Sequence, residues 1–258
     1  MLDISIVIIT KNEARDIAAC IECARAISND IVVADTGSTD DTMHIAKECG
    51  ARGVHVAWIN YGVARNIGAS HAMHDWILAI DADERITPAL AEAIKNIDPD
   101  NPNFVFGFRR ENYFGKKKVH YGDWGHDMVY RLYNRTCNKW QNVPVHETLC
   151  GNNLVKVKIS GRLHHYAVSD MKEYAHKVTH YAFLSANKYM EQKRTPNIFK
   201  RLFSAPVNFI CCYWLRLGFL DGKAGFIIAA YTAWYSYLKY HYFAGMYKKV
   251  HHLNLERA

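Results

Sequence analysis

The chain has 258 residues, half of them hydrophobic, with 32 Lys and Arg against 25 Asp and Glu for a formal charge of +7. That length suits one large domain, or a domain with an appendage, and the apolar content can bury a sizeable core. Seven cysteines without disulfide-framework spacing exclude a small disulfide-built scaffold.

The first hundred residues alternate strand and helix. A continuous apolar strand is expected over Ile4–Ile9, a helix over Ala14–Ile27 and a second strand over Ile31–Ala34, ending at Asp35. Asp40–Cys49 reads as a helix with Gly50 just past its end. A third strand follows over Val54–Trp58, a third helix over Val63–His71, and a buried strand over Trp76–Ile80. Thr87 as N-cap and Pro88 in the first turn start a fourth helix that runs to Ile97. Such alternation predicts an α/β fold, a mostly parallel, Rossmann-like central sheet flanked by helices. After residue 100 the pattern changes. Strands are expected over Phe104–Arg109 and Met128–Tyr133, linked by a polar hairpin bearing Lys116, Lys117 and Lys118. A short strand over Val155–Ile159 and a long helix over Met171–Gln192 follow.

The tail is aromatic and basic. From Met171 onward 13 Lys and Arg stand against 4 Asp and Glu, while the first 170 residues hold 19 against 21. This asymmetry points the last third toward an anionic partner. Ala224–Leu238 carries no charge but is shorter than the roughly 20 apolar residues a span needs, and Val207–Leu220 is interrupted by Arg216. With Trp214, Trp234 and many tyrosines, two interfacial helices on an anionic membrane surface are expected. The alternative is a helical pair packed on the core or on a second copy in a homo-oligomer. No RNA-binding signature is present, so no nucleic-acid partner is expected. Cys20-x-x-Cys23 is isolated and reads as structural thiols rather than a zinc site. An odd cysteine count, and a strand starting straight after Met1-Leu2 without a targeting segment, predict a reducing cytoplasm.

Four polar clusters fall at predicted strand ends or helix starts. They are Thr10-Lys11-Asn12-Glu13, then Asp35-Thr36-Gly37-Ser38-Thr39-Asp40-Asp41-Thr42, then Ala64-Arg65-Asn66, then Asp81-Ala82-Asp83-Glu84. In a parallel sheet they would converge on the rim where such folds bind ligands. Asp81 and Asp83, spaced i and i+2, suit Mg²⁺ or Mn²⁺, which takes one or two carboxylates from protein and the rest from phosphate and water. Singly, Ser38 or Asp40 could simply cap a helix and Asp35 could be a turn residue.

The ordered set resembles the family 2 glycosyltransferases with the GT-A fold. Later segments, Trp140 with Val145-His146-Glu147, Leu163-His164-His165-Tyr166 and Gly218-Phe219-Leu220-Asp221-Gly222-x-x-Gly225-Phe226, resemble the subgroup that includes lipopolysaccharide-core β-1,4-glucosyltransferases. The resemblance implies a nucleotide-sugar-binding and catalytic domain over residues 1–168 and a helical, membrane-interfacial or oligomerising region over 169–258. It implies an inverting enzyme that transfers a hexose, glucose or another, from a UDP-sugar to a lipid-linked envelope glycan. The place of work would be the inner face of the bacterial inner membrane.

The same resemblance assigns residues. Glu13 and Asp35 would accept hydrogen bonds from uracil or ribose, and Thr10 would lend backbone contacts beside the base. Asn12, Gly37, Ser38, Asp40, Asn66 and Ala82 would complete the donor site. Arg65 would contact the diphosphate or hold Asp81. Asp81 would meet ribose or metal-bound water. Asp83 would bind Mn²⁺ or Mg²⁺, with His165 as a further ligand; the adjacent His164 would point elsewhere, and which of the two meets the metal stays open. Glu147 is the first choice for the general base and Asp127, after Trp124-Gly125-His126, the second. Ala64 stands where relatives often carry Gln, and no Glu-Asp pair supplies the base.

Rival readings remain at this stage: a polyprenyl-phosphate sugar synthase, a nucleotidyltransferase, or a non-enzymatic nucleotide-sugar-binding protein on the membrane. Lys11 and Arg15 are sparse for holding a triphosphate, which weighs against the nucleotidyltransferase.

Overall fold

The computed structural model describes residues 2–255 apart from His126, His146 and Ser169. The two histidines belong to motifs noted above and lie outside the described residues. The chain forms two compact units, one of residues 1–111 and 127–166, the other of residues 112–126 and 167–258.

In the first unit, strands β1 (Ile4–Thr10), β2 (Ile31–Asp35), β3 (Arg52–His55) and β4 (Trp76–Asp81) alternate with helices α1 (Ile17–Ala24), α2 (Thr42–Glu48) and α3 (Tyr61–Ser70). A short β5 (Glu84–Ile86) and helix α4 (Pro88–Lys95) follow, then the long β6 (Phe104–Phe114). Strand β7 (Lys117–Lys118) turns back on β6, and β8 (Asp127–Asn134) comes after it. A small ladder, β9 (Lys139–Trp140) with β10 (Leu149–Cys150), precedes β11 (Val155–Val168). Among the described residues the main sheet has nine strands in the order β3-β2-β1-β4-β8-β6-β11-β5, with β7 on β6. Its β3-β2-β1-β4 half is parallel, whereas β8 pairs antiparallel with both β4 and β6, and β11 antiparallel with β5. The sheet is therefore mixed, with its parallel part where sequence alternation placed it.

Burial explains the parallel half. Every residue of β1 and β2 is buried, as strands covered on both faces require. Ile6, Ile8, Leu78 and Ile80 pack with Ile17 and Ile21 of α1 and Leu90 and Ile94 of α4. Val7, Ile77 and Ala79 share the opposite face with Ala69, Tyr133 and Trp140. Gly68 allows α3 this close, since a Cβ there would lie 2.6 Å from Val7 and 3.1 Å from Ala34. Thr87 caps α4 by accepting from the Leu90 N–H, and Gly50 follows α2 at φ +72 as expected. The helix α1 is shorter than the apolar pattern suggested, because Asn12 sits at φ 56 and residues 13–16 form a turn. Strand β3 lies two residues earlier than expected, and β11 runs to Val168.

The second unit holds α5 (Met171–Glu191), α6 (Ile198–Ile210), a π-turn over Cys211–Leu215, a 3₁₀ turn over Gly218–Asp221 and α7 (Lys223–Leu255). Helix α7 packs along both α5 and α6. The glycine-rich motif there has a physical role. The buried Asp221 carboxylate accepts the His120 and Tyr121 N–H groups at 3.0 and 2.8 Å, and its carbonyl accepts the Lys117 ammonium at 2.7 Å. It thereby anchors the loop after β7. Gly225 must be glycine, because a Cβ would fall 1.8 Å from the Gly218 carbonyl oxygen. No helix among the described residues is long and apolar enough to cross a membrane.

Candidate active site

Parallel register carries the polar clusters to one rim. Thr10 lies opposite Asp35, Ile9 opposite Asp81, and Asp35 opposite His55. Three strands thus end level, with Thr10 and Asp35 buried at their tips.

The first two loops are stitched together. The Asn12 N–H donates to Ser38 Oγ at 2.9 Å, and the Asn12 side-chain carbonyl accepts the Thr39 N–H at 2.7 Å. The N–H groups of Glu13 and Ala14 donate to Thr42 Oγ1 and Asp40. Asp35 accepts both the N–H and the hydroxyl of Ser38, the latter at 2.6 Å, in a turn that needs Gly37 at φ +99. Asn12, Ser38 and Asp40 therefore shape the rim through loop-to-loop bonds. Asp35 stands inside it, 3.9 Å from His55 Nδ1.

At the tip of β4 a network of ionised groups closes. Buried Arg65 on α3 donates Nη2 to Asp81 at 2.6 Å and Nη1 to Glu147. Arg131 on β8 reaches the other Asp81 oxygen at 3.2 Å. Fully buried Glu84 accepts the Asp81 N–H at 2.9 Å and pairs with Arg110 at 3.1 Å. Arg110 holds Asp127 at 2.6 Å. Burial alone would raise the Asp81 pKa, but Arg131 and Arg65 hold its carboxyl well below the usual carboxylate range. Likewise, burial would lower the Arg65 pKa, yet Asp81 and Glu147 drive it upward.

The aromatic floor is Trp140. The guanidinium groups of Arg65 and Arg131 lie 4.8 and 5.5 Å from its ring centre. Asn66 fixes it, donating to the Trp140 carbonyl at 2.9 Å and accepting its N–H at 3.0 Å. Asn66, expected at the donor, acts on the backbone of β9. Ala82 is buried in the core.

Antiparallel pairing of β11 with β5 sets the histidines. Opposite sides of the strand send His164 to Glu111 at 3.4 Å and His165 to Asp83 at 3.5 Å. His165 is thus the histidine beside Asp83. Among the described residues no cluster of three or more His, Cys, Asp and Glu gathers as a ready metal cage. Two protein ligands still match a cation that takes its other ligands from phosphate and water. Ligands of one such cation, each about 2.1 Å from it, lie about 3 Å apart, and the observed separation is close to this. Charge agrees: Asp81, Asp83, Glu84, Asp127 and Glu147 face Arg65, Arg110 and Arg131, an excess of two negative charges. The donor set therefore fits a divalent cation.

Sequence reading missed Arg110, Arg131 and Glu84. The only signal was Glu84 within the Asp81–Glu84 motif, since the two arginines sit inside strands.

Carboxylates at the tips of β2 and β4, met by arginines from α3, β6 and β8, form the kind of rim at which α/β enzymes bind ligands. A family model described as "Glycosyl transferase family 2" matches residues 5–163, and the chain belongs to that family. It is a glycosyltransferase with the GT-A fold. An uncharacterized glycosyltransferase of Rickettsia prowazekii is 27% identical, covering 93% of this chain and 86% of that one. The lipopolysaccharide core biosynthesis glycosyltransferase LpsC of Rhizobium meliloti is 26% identical, covering 92% and 90%. Among solved structures, S. aureus TarS 1-349 superposes with a TM-score of 0.46 at 12% identity, over 96% of this chain and 92% of that one.

Proposed function

We propose that this glycosyltransferase is inverting and divalent-metal dependent. It moves a hexose, glucose first among them, from a UDP-sugar to a hydroxyl of a lipopolysaccharide-core or other envelope glycan. The observation that carries the reading is the Asp83–His165 approach at 3.5 Å, beside the Arg-held Asp81 and on the rim that ends in Thr10 and Asp35. The LpsC relative, named for lipopolysaccharide core biosynthesis, supports the acceptor class. The acceptor being lipid-linked, the enzyme works as a peripheral protein on the inner face of the inner membrane.

Each group has a task. Asp35 accepts hydrogen bonds from the base or ribose, whose N–H and O–H groups donate. Asp83 and His165 would hold Mn²⁺ or Mg²⁺. The cation, when bound, offsets charge building on the departing nucleoside diphosphate. Asp81, kept ionised by Arg65 and Arg131, would accept hydrogen bonds from the ribose or from a ligand of the cation. Glu147 takes the acceptor hydroxyl proton, with Arg65 fixing its carboxylate; Asp127, fixed by Arg110, is the second candidate.

A thermal-shift screen of nucleotide sugars with Mn²⁺ tests the reading, because a ligand that binds the folded state raises its apparent stability. UDP and a UDP-hexose should raise Tm together, and ADP- or GDP-sugars should not. A shift with a non-uridine donor alone would overturn the donor assignment.

A further inference from the structure

Helix α6 has its polarity reversed. A helix on a water-soluble protein turns its large apolar side chains inward and its polar ones out. Here Arg201, Ser204, Ala205 and Asn208 are less exposed, Phe209 is the one large apolar side chain of the helix packed inward, and Asn208 donates to Ser236 of α7 at 2.7 Å. Phe199, Leu202, Phe203, Val207, Ile210 and Trp214 face outward, between 49% and 69% exposed. They recur at three- and four-residue steps and so form one stripe along the helix and the π-turn after it. No residue of α6 is buried. Contiguous apolar surface of this kind marks an interaction site.

The charges around the stripe select its occupant. Between Glu191 and Asp221 there is no acidic residue, while Lys193, Arg194, Lys200 and Arg201 stand beside the stripe; the fifth cation, Arg216, is paired with Asp123. A second copy meeting this face two-fold would set these four cations against the same four. An anionic bilayer would neutralise them while covering the stripe. Pro206 limits the depth. Lacking an N–H, it leaves the Leu202 carbonyl without its helical donor, a group that hydrocarbon would not solvate but interfacial water would.

We infer that α6 and the following π-turn are a membrane-docking element: Phe199, Leu202, Phe203, Val207, Ile210 and Trp214 enter the headgroup–acyl boundary of an anionic lipid surface, with Lys193, Arg194, Lys200 and Arg201 at the phosphates. This deepens the reading of a lipid-linked acceptor and rests on it only for its biological use, since docking needs neither donor nor acceptor. The face differs from the segments the sequence suggested, because the apolar exposure begins at Ile198 and α7 packs along α5 and α6.

The test is flotation of the full chain with phosphatidylcholine vesicles, with and without phosphatidylglycerol, at low and high salt. Binding should require phosphatidylglycerol and weaken with salt. The exposed-site double variant Phe199→Glu/Phe203→Glu should bind roughly tenfold more weakly or worse, with unchanged Tm and unchanged UDP binding. Lys200→Gln/Arg201→Gln should lose part of the binding and part of its salt dependence. Failure of the wild type to float with phosphatidylglycerol vesicles overturns the inference while leaving the donor reading intact. So does concentration-dependent dimerisation abolished by Phe199→Glu/Phe203→Glu, which assigns the face to a second copy. Loss of UDP binding by the wild type would sink the donor reading and leave docking untouched.

Discussion

Arg65 donates to Asp81 at 2.6 Å from a side chain only 3% exposed. The other arm of the same guanidinium holds Glu147. One residue of α3 thus ties the tip of β4 to the loop before β10. A planar fork of donors can do this, whereas an ammonium cannot hold two carboxylates in fixed directions.

Arg65→Ala should therefore destabilise the protein by about 3 kcal/mol or more, since it leaves carboxylates without their counter-charge. Arg65→Lys should recover only part. Urea denaturation of the three proteins measures this, and a loss below about 0.5 kcal/mol for Arg65→Ala would mean that Arg131 alone suffices for Asp81.

The two candidate bases separate by kinetics. Glu147→Gln should lower kcat by roughly 10²–10⁴ with UDP binding retained, the usual contribution of a general base. Asp127→Asn should act more weakly, through the loss of its pairing with Arg110. The reverse ranking would assign the proton transfer to Asp127.

Acid stability follows from Asp81. Its folded pKa lies below the unfolded value because Arg131 and Arg65 outweigh its burial. As pH falls, the unfolded chain takes up the proton first. The Asp81 contribution is thus fully present above about pH 4, the unfolded value, and is lost as pH drops through the folded pKa. Denaturation from neutral pH down to strong acid should show a steeper decline for the wild type than for Asp81→Asn. Parallel profiles would show that Asp81 is not the group being protonated.

The rim was legible in the sequence for a simple reason. Parallel strands end at Thr10, Asp35 and Asp81; Lys11 and Thr36 follow the first two at once, and Asp83-Glu84 follow the third after Ala82. The Asp83–His165 approach was visible only through the resemblance, because it depends on β5, three residues long, pairing with a strand 80 residues away. Arg110 and Arg131 could not be found locally. They sit within strands that read as ordinary half-buried sequence, and only the β6-β8-β4 pairing turns them toward Asp81 and Glu84. The length of β11 escaped notice because Lys156, Lys158, Gly161 and Arg162 dilute its apolar pattern. Asn12, Ser38 and Asp40 drew attention as donor residues, while their visible bonds join one loop to another.

Asn66 offers a test of the floor beneath the network. Asn66→Ala removes both hydrogen bonds to the Trp140 backbone. It should cost about 1–3 kcal/mol and loosen the ring on which Arg65 and Arg131 rest. Weaker UDP binding in this variant, read by calorimetry, is expected although the Asn66 side chain bonds the backbone of Trp140; unchanged affinity would show that the ring does not position the arginines.

The most direct measurement is calorimetric titration of UDP into the wild type and Asp83→Asn, each with Mn²⁺ and with EDTA. The wild type should bind UDP tightly with Mn²⁺ and at least roughly tenfold more weakly with EDTA, because a cation held by Asp83 would offset the charge of the diphosphate. Asp83→Asn should bind weakly in both conditions and keep its Tm. Equal affinity of the wild type with Mn²⁺ and with EDTA would contradict the metal-bridged donor site on which the account rests.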